Sequence, residues 1–149
     1  SYLKTAGHRF WNQRSERLLR ARRHWEIKTK IAAIIQDATA KPGAMDWKQV
    51  PLYAAEACRQ WLVANIHGLG LKESSHFLRN VGLPHFAIND RHIINLLVAE
   101  GVAKRPRSLT PAAYYALEDA QRGMAAKLGL PVGELDLYLW YLKTGQILK

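Results

Sequence analysis

Residues 66–72 read Ile-His-Gly-Leu-Gly-Leu-Lys and lie between two segments with helical patterns. Because glycine adopts positive φ and lets another backbone approach closely, Gly68 and Gly70 predict a sharp hairpin between two helices. The amides after the hairpin lie at a helix N-terminus, where the N–H groups and the helix dipole favour an anion. Such a hairpin can hold a DNA phosphate without reading sequence. A tight helix–helix turn without a ligand is the alternative, and in either case we expect Leu69 to point inward.

The segments on both sides of the hairpin are also helical in pattern, and the fold class that we predict is all-α. Ile27, Ile31, Ile34 and Ile35 recur at helical spacing and predict one buried stripe. Thr110-Pro111 is typical of a helix cap followed by a first-turn proline, and Asp46 predicts the cap of a short turn. The expected helices cover about 10–23, 26–36, 51–65, 71–80, 90–100, 111–128 and 131–143.

The charge of the chain favours a polyanionic partner. Twenty-two Lys and Arg against twelve Asp and Glu give a net charge of +10 and an isoelectric point near 10.0. Solubility alone is the alternative reading. The excess is concentrated between Arg9 and Lys30, where Arg9, Arg20 and Arg23 are candidate phosphate contacts.

Other sequence features bear on location and cofactors. No apolar run approaches the roughly 20 residues that a membrane span needs. We find no secretory signal, so we expect a cytoplasmic, nucleoid-associated protein without a membrane partner. The single cysteine, Cys58, cannot form an internal disulfide or supply a four-cysteine iron–sulfur cluster or a cysteine zinc site.

Lys72 and Asp90 are the candidate reactive residues. Lys72 follows Gly70 by two residues, in the first turn of the next helix, where a positive charge is disfavoured and a neutral, nucleophilic amine is favoured. Contact with a phosphate is the alternative role for this lysine. Asp90 begins another helix after the loop 83–89, and a cap without chemistry is as good a reading of this residue taken alone.

These residues resemble a known family. The strings HGLGLKESSHFLRNVG at 67–82 and AINDRHIINLL at 87–97 are similar to the archaeal and bacterial type-two 8-oxoguanine DNA glycosylase/AP lyase, within the helix-hairpin-helix–GPD superfamily. The resemblance implies one glycosylase domain over 1–149. That family carries further helices before the matched region, so we expect some N-terminal helices to be missing here. It also implies a monomer that acts on double-stranded DNA containing 8-oxoguanine or abasic sites.

The resemblance assigns roles to individual residues. Lys72 matches the lysine that forms the Schiff base, and Asp90 matches the catalytic aspartate. The final lysine, Lys149, matches one whose terminal carboxylate recognises the oxidised base. Trp140 matches an aromatic residue that stacks on it, although a core tryptophan is the alternative. Asn89 departs from the pattern, because we expect an apolar residue before the aspartate.

The expected DNA contacts lie at the hairpin and beside the proposed site. The DNA-binding candidates are Gly68, Leu69, Gly70, Arg79, Arg91 and His92. No metal is expected for catalysis, and the resemblance implies a structural monovalent cation at the hairpin carbonyls. The expected activity is excision of 8-oxoguanine through a lysine Schiff base with β-elimination. A non-catalytic helix-hairpin-helix module, a glycosylase for another lesion and a basic interaction protein are the alternatives.

Overall fold

A computed structural model describes the backbone of residues 2–41 and 46–144, and the side chains of residues 20, 22–41 and 46–142. Across these residues the structure is helical and contains no strand, which confirms the all-α prediction. The helices are α1 (Tyr2–Thr39), α2 (Leu52–Asn65), α3 (Leu71–Val81), α4 (Arg91–Ala99), α5 (Pro111–Leu128) and α6 (Val132–Thr144), with a 3-10 turn at Trp47–Gln49. The chain divides into two compact units, Ser1–Gly43 and Ala44–Lys149. The prediction of one domain over 1–149 stays a prediction.

The first unit contains one continuous helix, α1, of 38 residues. The prediction of separate helices at 10–23 and 26–36 is therefore wrong. No glycine or proline lies between Arg23 and Glu26 to interrupt the helix, and Arg22 pairs with Glu26 across the expected gap at 3.0 Å. Ile31 and Ile35 of the predicted stripe are fully buried.

The second unit follows the predicted helix boundaries closely, because local capping signals set them. The Asp46 carboxylate accepts a hydrogen bond from the Lys48 amide at 3.1 Å and caps the 3-10 turn. Gly82 ends α3 in the left-handed conformation, with φ of 112°. The Thr110 hydroxyl accepts a hydrogen bond from the Ala113 amide at 3.2 Å at the start of α5.

Helices α4, α5 and α6 share a hydrophobic cluster in the second unit. Ile93 and Leu97 of α4 pack in a cluster with Leu117 of α5 and Leu135 and Leu139 of α6. Burial of such side chains stabilises the fold by about 1.5–3 kcal/mol each. This packing fixes α4, and with it Asp90 at its N-terminus, against α5 and α6.

The start of α6 lies against the loop that precedes α4. The Gly133 amide donates a hydrogen bond to the Pro84 carbonyl at 3.0 Å. A Cβ at position 133 would lie 3.1 Å from that oxygen, so only glycine fits this approach without a shift of the backbone.

Within the described part of the chain, no helix is both long enough and apolar enough to cross a bilayer.

Candidate functional site

The hairpin forms where the sequence predicts it. Helix α2 ends at Asn65, and the Leu69 amide donates a hydrogen bond to the Ile66 carbonyl at 3.2 Å. Gly68 has φ of 85°, a backbone conformation that residues other than glycine rarely adopt. Gly70 is extended and caps α3, and its amide donates to the Glu73 carboxylate at 3.2 Å. Leu69 is half-buried, in keeping with a side chain that turns towards the helices.

Residues 63–70 surround an open concavity on the hairpin. Backbone carbonyl oxygens are ligands that a hard monovalent cation accepts. The Ile66 carbonyl already accepts the Leu69 amide, which leaves its second lone pair for such an ion. A monovalent cation at these carbonyls stays a prediction. Among the residues that the structure describes, no group of three or more His, Cys, Asp or Glu could hold a metal ion.

Lys72 is the second residue of α3, and its side chain is exposed. The residues just after it are anchored, since Ser74 and Ser75 are both fully buried. The Ser75 hydroxyl donates a hydrogen bond to the Leu71 carbonyl at 2.6 Å. The structure therefore presents the Lys72 amine to solvent from a helical turn whose next residues are fixed in the interior.

Asp90 is the N-cap of α4. One of its carboxylate oxygens, Oδ1, accepts a hydrogen bond from the Ile93 amide at 3.0 Å, and the residue is half-buried. Asp90 is thus a helix cap, which is the structural role that the sequence predicts as an alternative to catalysis. A capping carboxylate can also act chemically, because a cap occupies one oxygen and fixes the direction of the other.

The backbone that leads to Asp90 is held by buried carboxylates. The Ala87 amide donates to Glu118 at 3.1 Å, and the Ile88 amide donates to Asp136 at 3.1 Å. Glu118 lies on α5 and Asp136 on α6, and both are buried. Buried backbone N–H groups need a partner, so these two helices fix the course of the loop.

Asn89 is also explained by this buried network. It is 1% exposed, and its Nδ2 donates to the Tyr114 carbonyl at 3.2 Å. Gln121 donates to its Oδ1. The polar residue that departs from the family pattern therefore has partners, and it ties the residue before Asp90 to α5.

Sequence reasoning missed the part that α5 plays in the site. Tyr114, Glu118 and Gln121 are spaced by four and three residues, so they lie on the same buried face of the helix. Polar residues at helical spacing among apolar neighbours are the signal that could have found them. Burial raises the pKa of Tyr114 to about 12, so its hydroxyl remains a neutral donor.

Arg59 of α2 supplies the positive charge for this network. It is 1% exposed and forms two hydrogen bonds with Glu118, at 2.7 and 2.8 Å. It also donates to Glu56 and to the Ser75 hydroxyl, and its guanidinium lies 3.9 Å from the centre of the Phe86 ring. The arginine thus joins α2, α3 and α5 behind the candidate site.

The structure brings Trp140 to the start of α4. Its ring meets the ring of His92 edge-on, with 4.9 Å between the ring centres and 73° between the planes. Trp140 is half-buried and packs partly against the core cluster. His92 is two residues from Asp90. The start of α4 therefore has an aromatic ring, that of Trp140, and a carboxylate, that of Asp90, in the same region.

The other candidate residues differ in their surroundings. Arg91 is exposed. Arg79 is paired with Asp136 at 3.2 Å, and burial lowers its pKa while the Asp136 carboxylate raises it in part. This ion pair gives Arg79 an internal role, and its contact with DNA stays a prediction. Lys149 lies outside the described residues, as does Arg9 in its side chain.

Comparison with known proteins gives one consistent match. The family model described as 8-oxoguanine DNA glycosylase matches residues 1–130. An 8-oxoguanine DNA glycosylase/AP lyase of Korarchaeum cryptofilum is 37% identical over 148 residues, which are 99% of this chain and 63% of the relative. The corresponding protein of Methanocaldococcus jannaschii is 38% identical with the same coverage.

Solved structures agree with the sequence match. The M. jannaschii 8-oxoguanine glycosylase/lyase in complex with a 15mer DNA containing 8-oxoguanine superposes with a TM-score of 0.66 at 36% identity, over 99% of this chain and 63% of that one. The 8-oxoguanine DNA glycosylase of Thermotoga maritima gives a TM-score of 0.56 at 40% identity, over 62% and 45%. Nearly the whole chain matches the K. cryptofilum and M. jannaschii proteins, but it spans only about 63% of their length. Since a family model matches most of the chain and an experimentally determined member shares its fold, the chain belongs to the 8-oxoguanine DNA glycosylase family of helix-hairpin-helix proteins.

Proposed function

We propose that this chain carries the chemistry of a bifunctional 8-oxoguanine DNA glycosylase/AP lyase in base excision repair. The proposal is carried by two observations: an exposed Lys72 follows the glycine hairpin, and Asp90 caps the start of the next helix, α4. An amine nucleophile and a carboxylate are the two groups that excision through a Schiff base needs. The names and DNA complex of the relatives support the same substrate.

The proposed reaction begins with extrusion of the damaged nucleotide. Unstacking a base costs a few kcal/mol. Stacking on Trp140 recovers roughly 1–3 kcal/mol of this. The contact between the His92 and Trp140 rings helps to hold the indole in place. We propose that the terminal carboxylate of Lys149 recognises the oxidised base.

The neutral amine of Lys72 then attacks the sugar C1′, and the bond from C1′ to the base breaks. Asp90 stabilises the positive charge that develops on the sugar, and it assists proton transfer from the attacking amine. The C1′–O4′ bond of the sugar ring then opens and O4′ takes up a proton, which leaves an imine between C1′ and the Lys72 nitrogen. This imine makes the C2′ proton acidic. Its removal expels the 3′ phosphate, which breaks the strand by β-elimination. An amine nucleophile requires no metal for these steps.

The proposed DNA contacts place the duplex on the hairpin side of the second unit. Gly68, Leu69 and Gly70 shape the hairpin, whose Leu69 and Gly70 amides already bond Ile66 and Glu73. The amides that follow Gly70, in the first turn of α3, bind a phosphate, as the helix N-terminus favours. Arg91 and His92 contact the strand beside the flipped nucleotide. We also propose that a monovalent cation binds the hairpin carbonyls, and that the protein acts inside the cell on chromosomal DNA.

Borohydride trapping tests the nucleophile. With the 149-residue chain and a duplex that holds one abasic site, we expect a covalent adduct from the unmodified protein and none from Lys72→Gln. Lys127→Gln is the matched control, because Lys127 is an exposed lysine in the last turn of α5. An adduct that persists in Lys72→Gln would place the nucleophile elsewhere, and no adduct from the intact chain would favour a non-catalytic DNA-binding module.

A panel of lesion duplexes tests the substrate. We expect release of 8-oxoguanine and not of oxidised pyrimidines or alkylated purines. Deletion of Lys149 should reduce release of 8-oxoguanine while leaving cleavage at a preformed abasic site. If deletion leaves release unchanged, the proposed recognition of the lesion is wrong.

A further inference from the structure

The hydroxyl of Tyr114 lies where the backbone before Asp90 meets α3. It donates a hydrogen bond to the Ala87 carbonyl at 2.6 Å. The Asn89 amide donates to the same hydroxyl at 3.4 Å, and the Ser75 hydroxyl lies 3.5 Å from it. Tyr114 is 2% exposed, so water does not compete for these contacts.

These contacts reach both candidate reactive residues through their neighbours. Ser75 lies one turn after Lys72, and its hydroxyl is bonded to the Leu71 carbonyl at 2.6 Å. On the other side, Asn89 directly precedes Asp90, and its side chain is tied to the Tyr114 carbonyl at 3.2 Å. One tyrosine therefore contacts the backbone before α4 and the Ser75 side chain of α3.

We propose that Tyr114 is a positioning residue, which sets the direction of the Asp90 carboxylate towards the reacting sugar; this inference rests on the proposed function. Tyr114 does not touch the substrate. It acts through Ala87 and Asn89, and Gln121 assists by holding the Asn89 side chain.

The size of the expected effect follows from how narrowly catalytic geometry is defined. A displacement of about 1 Å, caused by a mutation away from the chemistry, can reduce a rate roughly 100-fold. Loss of the Tyr114 hydroxyl removes the donor to the Ala87 carbonyl but leaves the Glu118 contact to the Ala87 amide. Because the Asp136 contact to the Ile88 amide and the Asn89 side-chain contacts also remain, we expect a smaller displacement and a rate loss of about 10-fold to 100-fold.

Tyr114→Phe tests the proposal, since it removes one oxygen and keeps the ring. Under single-turnover conditions with excess protein, we expect 8-oxoguanine release to slow by about 10-fold to 100-fold. Affinity for the lesion duplex should change less than about twofold, because Tyr114 is buried and makes no DNA contact in the proposal. Tyr115→Phe is the matched control: its hydroxyl bonds the Glu56 and Gln60 side chains of α2 at 2.7 and 2.6 Å and not the backbone before Asp90, so its rate should stay near that of the parent.

A double-mutant cycle separates positioning from a general structural role. If Tyr114 acts through Asp90, Tyr114→Phe should slow Asp90→Asn much less than it slows the parent protein. An equal slowing in both backgrounds, or loss of DNA affinity in parallel with rate, would overturn the positioning role. Gln121→Met, which removes the donor to Asn89, gives a second route to the same cycle if Tyr114→Phe does not fold.

The same cycle distinguishes this inference from the proposed function. A parent rate in Asp90→Asn would refute the proposed role of the carboxylate. A slow Asp90→Asn together with parent rates in Tyr114→Phe and Gln121→Met would refute the positioning role alone.

Discussion

Replacement of Arg59 by methionine should destabilise the second unit strongly. The guanidinium is 1% exposed and holds the 2%-exposed carboxylate of Glu118 at 2.7 Å. Methionine retains much of the packing against Phe86 but supplies no charge. Glu118 then keeps the Ala87 amide and a longer contact to Arg122 at 3.3 Å.

The expected magnitude is the cost of leaving one partner of a buried ion pair uncompensated, about 3–5 kcal/mol. The remaining contacts of Glu118 place Arg59→Met near the lower end of that range, about 3 kcal/mol. At roughly 4 °C for each kcal/mol in a chain of this size, the melting temperature should fall by on the order of 12 °C.

Urea unfolding followed by circular dichroism measures the loss, with the slope against urea compared between proteins to check two-state behaviour. Arg22→Met is the matched control, because the Arg22–Glu26 pair is 3.0 Å long but its side chains are 78% and 63% exposed. That change should cost less than about 1 kcal/mol.

A second variant tests the reason for the loss. Arg59→Met combined with Glu118→Gln removes the orphaned charge while the glutamine carbonyl can still accept the Ala87 amide, so part of the stability should return. If Arg59→Met unfolds at the same urea concentration as Arg22→Met, the buried pair does not hold the site as described.

Three further outcomes follow from local geometry and burial. Gly133→Ala should destabilise the protein and shift the loop before α4, because its Cβ would meet the Pro84 backbone at 3.1 Å. Gly123→Ala, in open space within α5, should instead stabilise the protein by up to about 1 kcal/mol. Thermal melting of both variants checks this, and equal melting temperatures would contradict it. Burial raises the pKa of Cys58 to about 12, so iodoacetamide should modify this thiol in denaturant but not in the folded protein, with mass spectrometry as the readout. The pKa values of Cys58 and Tyr114 rise on folding from 9.0 and 10.0 to about 12, so the folded protein keeps protons that the unfolded chain loses. The free energy of unfolding should therefore fall as the pH rises from about 9 to about 12. A free energy that stays constant over this pH range would contradict the prediction.

The local signals of the sequence determined the helices and the hairpin. Gly68, Gly82 and Thr110 each act within a few residues along the chain, so their effect on the backbone is readable without knowledge of the fold. The same reasoning fails between Arg23 and Glu26, because the sequence predicts two helices there although no residue between them disfavours a continuous one.

The sequence also determined the candidate reactive residues, because Lys72 and Asp90 lie at helix starts that the preceding glycines and loop residues predict. Only the tertiary structure decided what holds them. Tyr114 and Gln121 act on residues 25 or more positions away along the chain, and Arg59 reaches Glu118 across 59 positions. A buried polar side chain needs a hydrogen-bond partner, but which partner it meets depends on how the helices pack. That packing is driven by burial of apolar surface, which is non-directional and does not specify pairs of residues.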